Sequence, residues 1–116
     1  AMAFAIDFPD SYYQELLADY TKKRNRLSDA LAGLGLQVFP TAGTYYLLVD
    51  IRSLGFDDDV LFCRMLTEKA GVAAIPCSCF WNNRSRGKEL VRFCFCKKDE
   101  TLDEAIKRLT AFLGRR

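Results

Sequence analysis

The chain has 116 residues, half of them apolar, and its charged residues nearly cancel to a net charge of +2. That suits one domain with a real core. It gives no electrostatic case for binding nucleic acid or anionic membrane, and no apolar run approaches the length of a bilayer span. Histidine is absent, so no side chain ordinarily titrates near neutral pH.

The first residues, Ala1 to Ile6, are apolar and lack a natural-looking start, so a fragment of a longer protein is expected. No signal peptide is expected ahead of the first helix in this stretch. Pro9 and Asp10 open that helix, with Asp10 as the expected N-cap. Tyr13, Leu16, Leu17, Tyr20, Leu27, Ala30, Leu31 and Leu34 recur at helical spacing. Lys22, Lys23, Arg24 and Arg26 read as a solvated basic face. Gly33 and Gly35 stop the helix.

Leu36–Phe39 reads as a short strand ended by Pro40, and Thr41-Ala42-Gly43 as a turn. Thr44–Asp50 reads as a second strand, close enough to pair with the first as an antiparallel hairpin. After a turn at Ser53-Leu54-Gly55, Asp57, Asp58 and Asp59 crowd the start of a helix, where negative charge suits the dipole. Capping explains them better than metal binding, since consecutive residues point different ways around a helix. Val60, Leu61, Cys63, Met65 and Leu66 supply its apolar residues, and Gly71 its stop.

Val72–Ile75 reads as a strand closed by Pro76, and residues 77–87 as loop. Phe80 and Trp81 in that loop either plug the core or line a site; sequence alone favours the plug. Leu90–Lys97 has the look of a buried strand. Val91, Phe93 and Phe95 share one face; Arg92, Cys94 and Cys96 share the other. An arginine amid apolar neighbours keeps its charge, so it snorkels to water or finds an anion. The bland reading is an internal salt bridge to an Asp or Glu of the chain. The planar fork also suits a bound carboxylate or phosphate, though internal pairing is the commoner remedy. Asp99 or Thr101 caps the last helix, with Thr101-x-x-Glu104 matching a capping box. Leu102, Ala105, Ile106, Leu109, Phe112 and Leu113 are its core stripe, and Gly114-Arg115-Arg116 trails off.

The order α-β-β-α-β-β-α predicts a two-layer α+β domain over residues 1–116, helices packed on a small, mainly antiparallel sheet. Five cysteines with core-like neighbours predict free thiols in a reducing, intracellular compartment. The two Cys-x-Cys pairs admit a metal reading, but small buried hydrophobes are the simpler account. Asn83-Arg84-Ser85 matches a glycosylation sequon that the thiols argue against. Ser85-x-x-Lys88 sits beside glycine in a loop and reads as chance. Phe93-Cys94-Phe95 lacks the glycines of an RNA-recognition strand, and no Gly-rich phosphate loop is present.

Four stretches then line up in register. They are Tyr20-x-x-Lys23-Arg24-x-x-Leu27; Pro40-x-x-Gly43-Thr44-Tyr45-Tyr46 leading to Asp50; Gly71-Val72-Ala73-Ala74-Ile75-Pro76-x-Ser78-x-Phe80; and Val91-Arg92-Phe93-x-Phe95 before the last helix. In this order the chain closely resembles, over nearly its whole length, the C-terminal part of class I/II pyridoxal-phosphate aminotransferases of fold type I. The nearest likeness is to the kynurenine or methionine (glutamine-type) transaminase branch, plant members included. The family usually has glycine and small residues where this chain has Cys77 and Cys79.

The resemblance implies that Arg92 grips the α-carboxylate of an amino or 2-oxo acid substrate. It places Tyr46 in the substrate pocket, Tyr45 as a weaker candidate, and Phe80 and Trp81 at the active-site mouth. It also implies that the lysine binding pyridoxal phosphate, the acid against the pyridine nitrogen and the phosphate cup lie upstream, in a large domain. This chain would then be the C-terminal small domain. It would carry no cofactor and no activity by itself, and its parent would be a homodimer in the cytoplasm, a plastid or a mitochondrion. The rival expectation is a stand-alone, non-catalytic small-molecule-binding or interaction domain. What precedes Ala1 in the gene product separates the two.

Overall fold

The computed structural model describes residues 1–114, and the expected tail at Arg115 and Arg116 lies outside them. In chain order it contains α1 (Met2–Ile6), α2 (Asp10–Gly33), β1 (Gln37–Val38), β2 (Tyr46–Asp50), a 3-10 turn (Arg52–Leu54) and α3 (Asp59–Met65). A π turn (Leu66–Ala70) prolongs α3; then come β3 (Ile75–Pro76), a second 3-10 turn (Cys77–Phe80), β4 (Leu90–Cys94) and α4 (Asp99–Leu113). The four strands form one sheet in the order β1-β2-β4-β3, with every neighbouring pair antiparallel. The expected α+β architecture and the β1–β2 hairpin are therefore present. The strands are shorter than read from sequence, and α1 was not expected.

Strand alternation builds the two layers. Leu47, Val49, Val91, Phe93 and Phe95 are all buried on one face of the sheet. Leu27 and Leu31 of α2, Phe62, Cys63 and Leu66 of the α3 segment, and Leu109 and Leu113 of α4 complete that core. The opposite face of β2 and β4 carries Tyr46, Leu48, Leu90, Arg92 and Cys94.

Several local readings need correction. Pro9 is the N-cap of α2, and Asp10 lies in its first turn. The helix ends in a Schellman motif: Leu36 N–H donates to Leu31 O (3.2 Å) and Gly35 N–H to Ala32 O (2.9 Å). Gly35 supplies the left-handed residue, at φ +86°. The apolar stripe of α2 is buried only at its C-terminal half; Tyr13, Leu16 and Leu17 are exposed. In α3, Val60 and Leu61 face outward, and Phe62 is the buried residue the periodicity missed. Lys98 precedes α4 without a side-chain cap, and Glu104 pairs with Arg108 (2.7 Å), so no capping box forms. The basic run is not a free solvated face. Lys23 pairs with Asp19, Arg24 donates to Thr41 O (3.1 Å), and Arg26 pairs with Asp99 and Asp103 of α4.

Candidate functional site

The α2-to-β2 connection aims the first aromatic residues. Pro40 ends β1, and Thr44, a β-branched residue, is held at φ +63°. The chain then enters β2, where Phe95 N–H donates to Tyr45 O (2.9 Å). This sets Tyr46 on the sheet face away from the core. Tyr45 stays at the rim, half-exposed, its ring 5.6 Å from that of Tyr46.

Arg92 sits at the middle of β4, opposite Leu48 on one side and Ile75 on the other. Its guanidinium carbon lies 4.4 Å from the centre of the Tyr46 ring and 4.9 Å from that of Phe80. Two cation–π contacts thus hold the fork. Its Nε is buried and has no hydrogen-bond partner. Among the described residues no carboxylate pairs with it. The internal salt bridge expected on bland grounds is absent.

The reason lies one strand away. Asp50, buried at the end of β2, lies two residues beyond Leu48 on that face, but Arg52 takes it. Arg52 Nε donates to Asp50 Oδ1 and Oδ2 (both 3.1 Å), and its terminal nitrogen donates to Oδ2 at 2.6 Å. The Arg52 side chain beside it holds the Asp50 carboxyl below its usual range.

Around Arg92 opens a cavity of about 410 Å³, lined by Tyr46, Leu48, Cys77, Phe80, Trp81 and Leu90. Cys77 is an uncharged wall, because burial pushes its thiol up to about 11. Trp81 lies against Gly87 and carries the Arg86 guanidinium 5.4 Å from its ring centre. Phe80 and Trp81 are 60% and 45% exposed, so they wall this cavity and do not plug the core. A larger groove of about 670 Å³ runs between residues 71–75, β4 and α4. Arg92 borders this groove too, and Arg108 there already holds Glu104. The smaller cavity is the candidate site because Tyr46 and Phe80, the two rings against the Arg92 guanidinium, both line it.

The structure thus brings Arg92, Tyr46 and Phe80 together and leaves Tyr45 at the edge. Leu48 and Leu90 were not singled out from sequence, although cross-strand pairing with the Arg92 face signals both. Asp59 was misread. Asp58 is the α3 N-cap, accepting from Leu61 N–H (2.9 Å), whereas Asp59 is buried and accepts from Ser78 N–H at 2.7 Å. Among the described residues, no three His, Cys, Asp or Glu side chains group as a metal site would require.

Comparison with known proteins gives the family. Residues 1–109 match the family model for aminotransferase class I and II. A probable N-succinyldiaminopimelate aminotransferase, DapC, of Mycobacterium tuberculosis is 42% identical, over 99% of this chain and 31% of that protein. The methionine aminotransferase of Escherichia coli is also 42% identical, over 94% of this chain and 28% of that protein. The solved N-succinyldiaminopimelate aminotransferase of Mycobacterium tuberculosis superposes with a TM-score of 0.86 at 45% identity, covering 95% of this chain and 29% of that one. The chain spans about three tenths of the length of these relatives. With its fold and nearly all its length matched, the chain belongs to the class I and II aminotransferase family.

Proposed function

We propose that this chain is the small domain of an aminotransferase, which moves an amino group between an amino acid and a 2-oxo acid, and that Arg92 holds the substrate α-carboxylate. One observation carries the reading: a guanidinium held against two aromatic rings, in an open cavity, with no carboxylate of its own among the described residues. A two-oxygen anion would complete it with a bidentate, charge-assisted pair. Tyr46 and Phe80 flank that anion, and Tyr45 touches the substrate only from the rim.

Pyridoxal phosphate, which the family uses, would supply the electron sink in the parent protein. The residues present do not fit that group. The cavity lining offers no lysine for a Schiff base and no acid for a pyridine nitrogen. The isolated chain is accordingly read as inactive, with the cofactor held by an upstream domain and the parent acting as a homodimer. The exposed apolar side chains of α1 and the first half of α2, Phe4, Ile6, Leu16 and Leu17 among them, suit burial against that domain. Among the described residues no helix is long and apolar enough to cross a membrane, and the five free thiols accord with a reducing compartment.

The test is the natively expressed full-length protein. A yellow protein absorbing at roughly 360–430 nm, the range of a pyridoxal Schiff base, that transfers amino groups and loses this on Arg92→Ala supports the reading. A colourless protein of about this length would overturn it in favour of a stand-alone binding domain.

A further inference from the structure

The turn that carries Phe80 has no cap of its own. It runs Cys77–Phe80, starts after Pro76, and has no side-chain cap bond. The first N–H groups of any helical turn lack partners inside it. Here the Ser78 N–H is buried, and its acceptor comes from another element, 19 residues earlier in sequence: Asp59 Oδ2, at 2.7 Å. Asp59 is 1% exposed and has no cation beside it among the described residues. A buried, unpaired carboxylate is costly to retain. Spent on a single backbone N–H, it fixes where the turn begins. From that start follow Cys77, Phe80 and Trp81, three of the side chains lining the Arg92 cavity.

We propose that Asp59 is a positioning residue for the Arg92 site: a cap supplied from α3 that holds Phe80 against the guanidinium and Trp81 in the cavity wall. The inference rests on the reading of Arg92 as a carboxylate site for its functional consequence, but the tether has a readout of its own. Trp81 is the only tryptophan in the chain, so its fluorescence reports on the wall directly.

The experiment compares wild type, Asp59→Ala and Asp59→Asn by acrylamide quenching of Trp81 and by titration with 3-phenylpropionate, an apolar monocarboxylate. Asp59→Ala is expected to unshield Trp81 and weaken binding by about tenfold, the loss of one buried charge-assisted hydrogen bond. In Asp59→Asn the amide oxygen still accepts from Ser78 N–H. Trp81 quenching therefore stays at the wild-type level even though the buried amide lowers the melting temperature. Leu31→Ala, a core change on α2, should lower the melting temperature without unshielding Trp81. Should Asp59→Ala not fold, Ser78→Pro removes the donor instead and is read the same way.

Unchanged quenching and affinity in Asp59→Ala, or unshielding in Asp59→Asn equal to that in Asp59→Ala, would overturn the tether. A wild type that ignores 3-phenylpropionate while Asp59→Ala still unshields Trp81 keeps the tether and sinks the Arg92 reading.

Discussion

Arg92→Met separates a structural arginine from a functional one, because the two roles predict opposite signs for stability. Arg92 leaves a buried Nε–H unsatisfied, which costs about 2 kcal/mol. Its contacts with Tyr46 and Phe80 return roughly 1.5 kcal/mol between them. The balance is near zero and slightly unfavourable, and Met restores soft packing against both rings. In a domain of this size 1 kcal/mol moves the melting temperature by about 3–6 °C. Thermal denaturation of the variant should therefore show no change or a rise of a few degrees. An arginine serving an internal ion pair would behave differently, since breaking a buried pair costs about 3–5 kcal/mol. In the full-length enzyme the same change removes a bidentate, charge-assisted grip on the substrate. A loss of about 2–4 kcal/mol there is roughly a 30- to 1000-fold fall in kcat/KM. A folded variant with unchanged kcat/KM, or a fall in melting temperature beyond about 10 °C, would refute the reasoning.

Asp50→Asn should cost about 1–2 kcal/mol at pH 7, a charge-assisted pair discounted for the exposed Arg52 partner. The folded carboxyl titrates below its ordinary value. Its contribution is therefore complete above that ordinary value and fades as pH falls through the folded pKa. Urea melts should find the deficit at neutral pH and none in strong acid; a pH-independent deficit would show that the ion pair is not its source. Burial pushes Cys63 up to about 12 and Cys77 up to about 11, while Cys79 is exposed. Iodoacetamide followed by peptide mass mapping should label Cys79 well before either, and rapid labelling of Cys77 in the native protein would contradict the closed wall. Gly87→Ala places a Cβ 2.7 Å from Trp81 Nε1 at a backbone φ of +76°. It should cost about 1–2 kcal/mol and shift Trp81 emission as the indole leaves the cavity wall; an unmoved spectrum would mean that the loop adapts around the new methyl.

The parts of the fold that alternation controls were legible from sequence. In β4 the period of two puts Val91, Phe93 and Phe95 in the core and Arg92 on the other face, whatever the strand pairs with. The α4 stripe was legible for the same reason, since Leu102, Leu109 and Leu113 have one face to offer. What periodicity cannot say is what lies opposite. It marks Leu16 and Leu31 alike on α2, yet one is exposed and the other fully buried. The basic run looked solvated because Asp99 and Asp103, the partners of Arg26, arrive more than 70 residues later. Asp59 looked like a cap because it stands at a helix start. It is one, but for a different turn, and only tertiary structure brings Ser78 to it. Phe80 and Trp81 looked like core for want of any local signal that the cavity beside them holds an unpaired cation.

Two deficits remain in the described residues, and they discriminate between the readings. One is a cation without an anion, at Arg92. The other is an apolar face without a cover. Helix α2 is about 36 Å long, buried at Leu27 and Leu31 but open at Leu16 and Leu17, where the side chains of Met2, Phe4 and Ile6 on α1 add to the open surface. A surface of that kind is a liability in a free-standing domain. A stand-alone binding domain accounts for the first deficit, since its ligand would supply the anion, but it leaves the second unexplained. A small domain within an aminotransferase accounts for both: the substrate brings the carboxylate, and the proposed upstream domain covers the open half of α2. The arginine alone does not separate these readings; the helix favours the small-domain proposal, because its stripe is buried at Leu27 and Leu31 and has no cover among the described residues at Leu16 and Leu17.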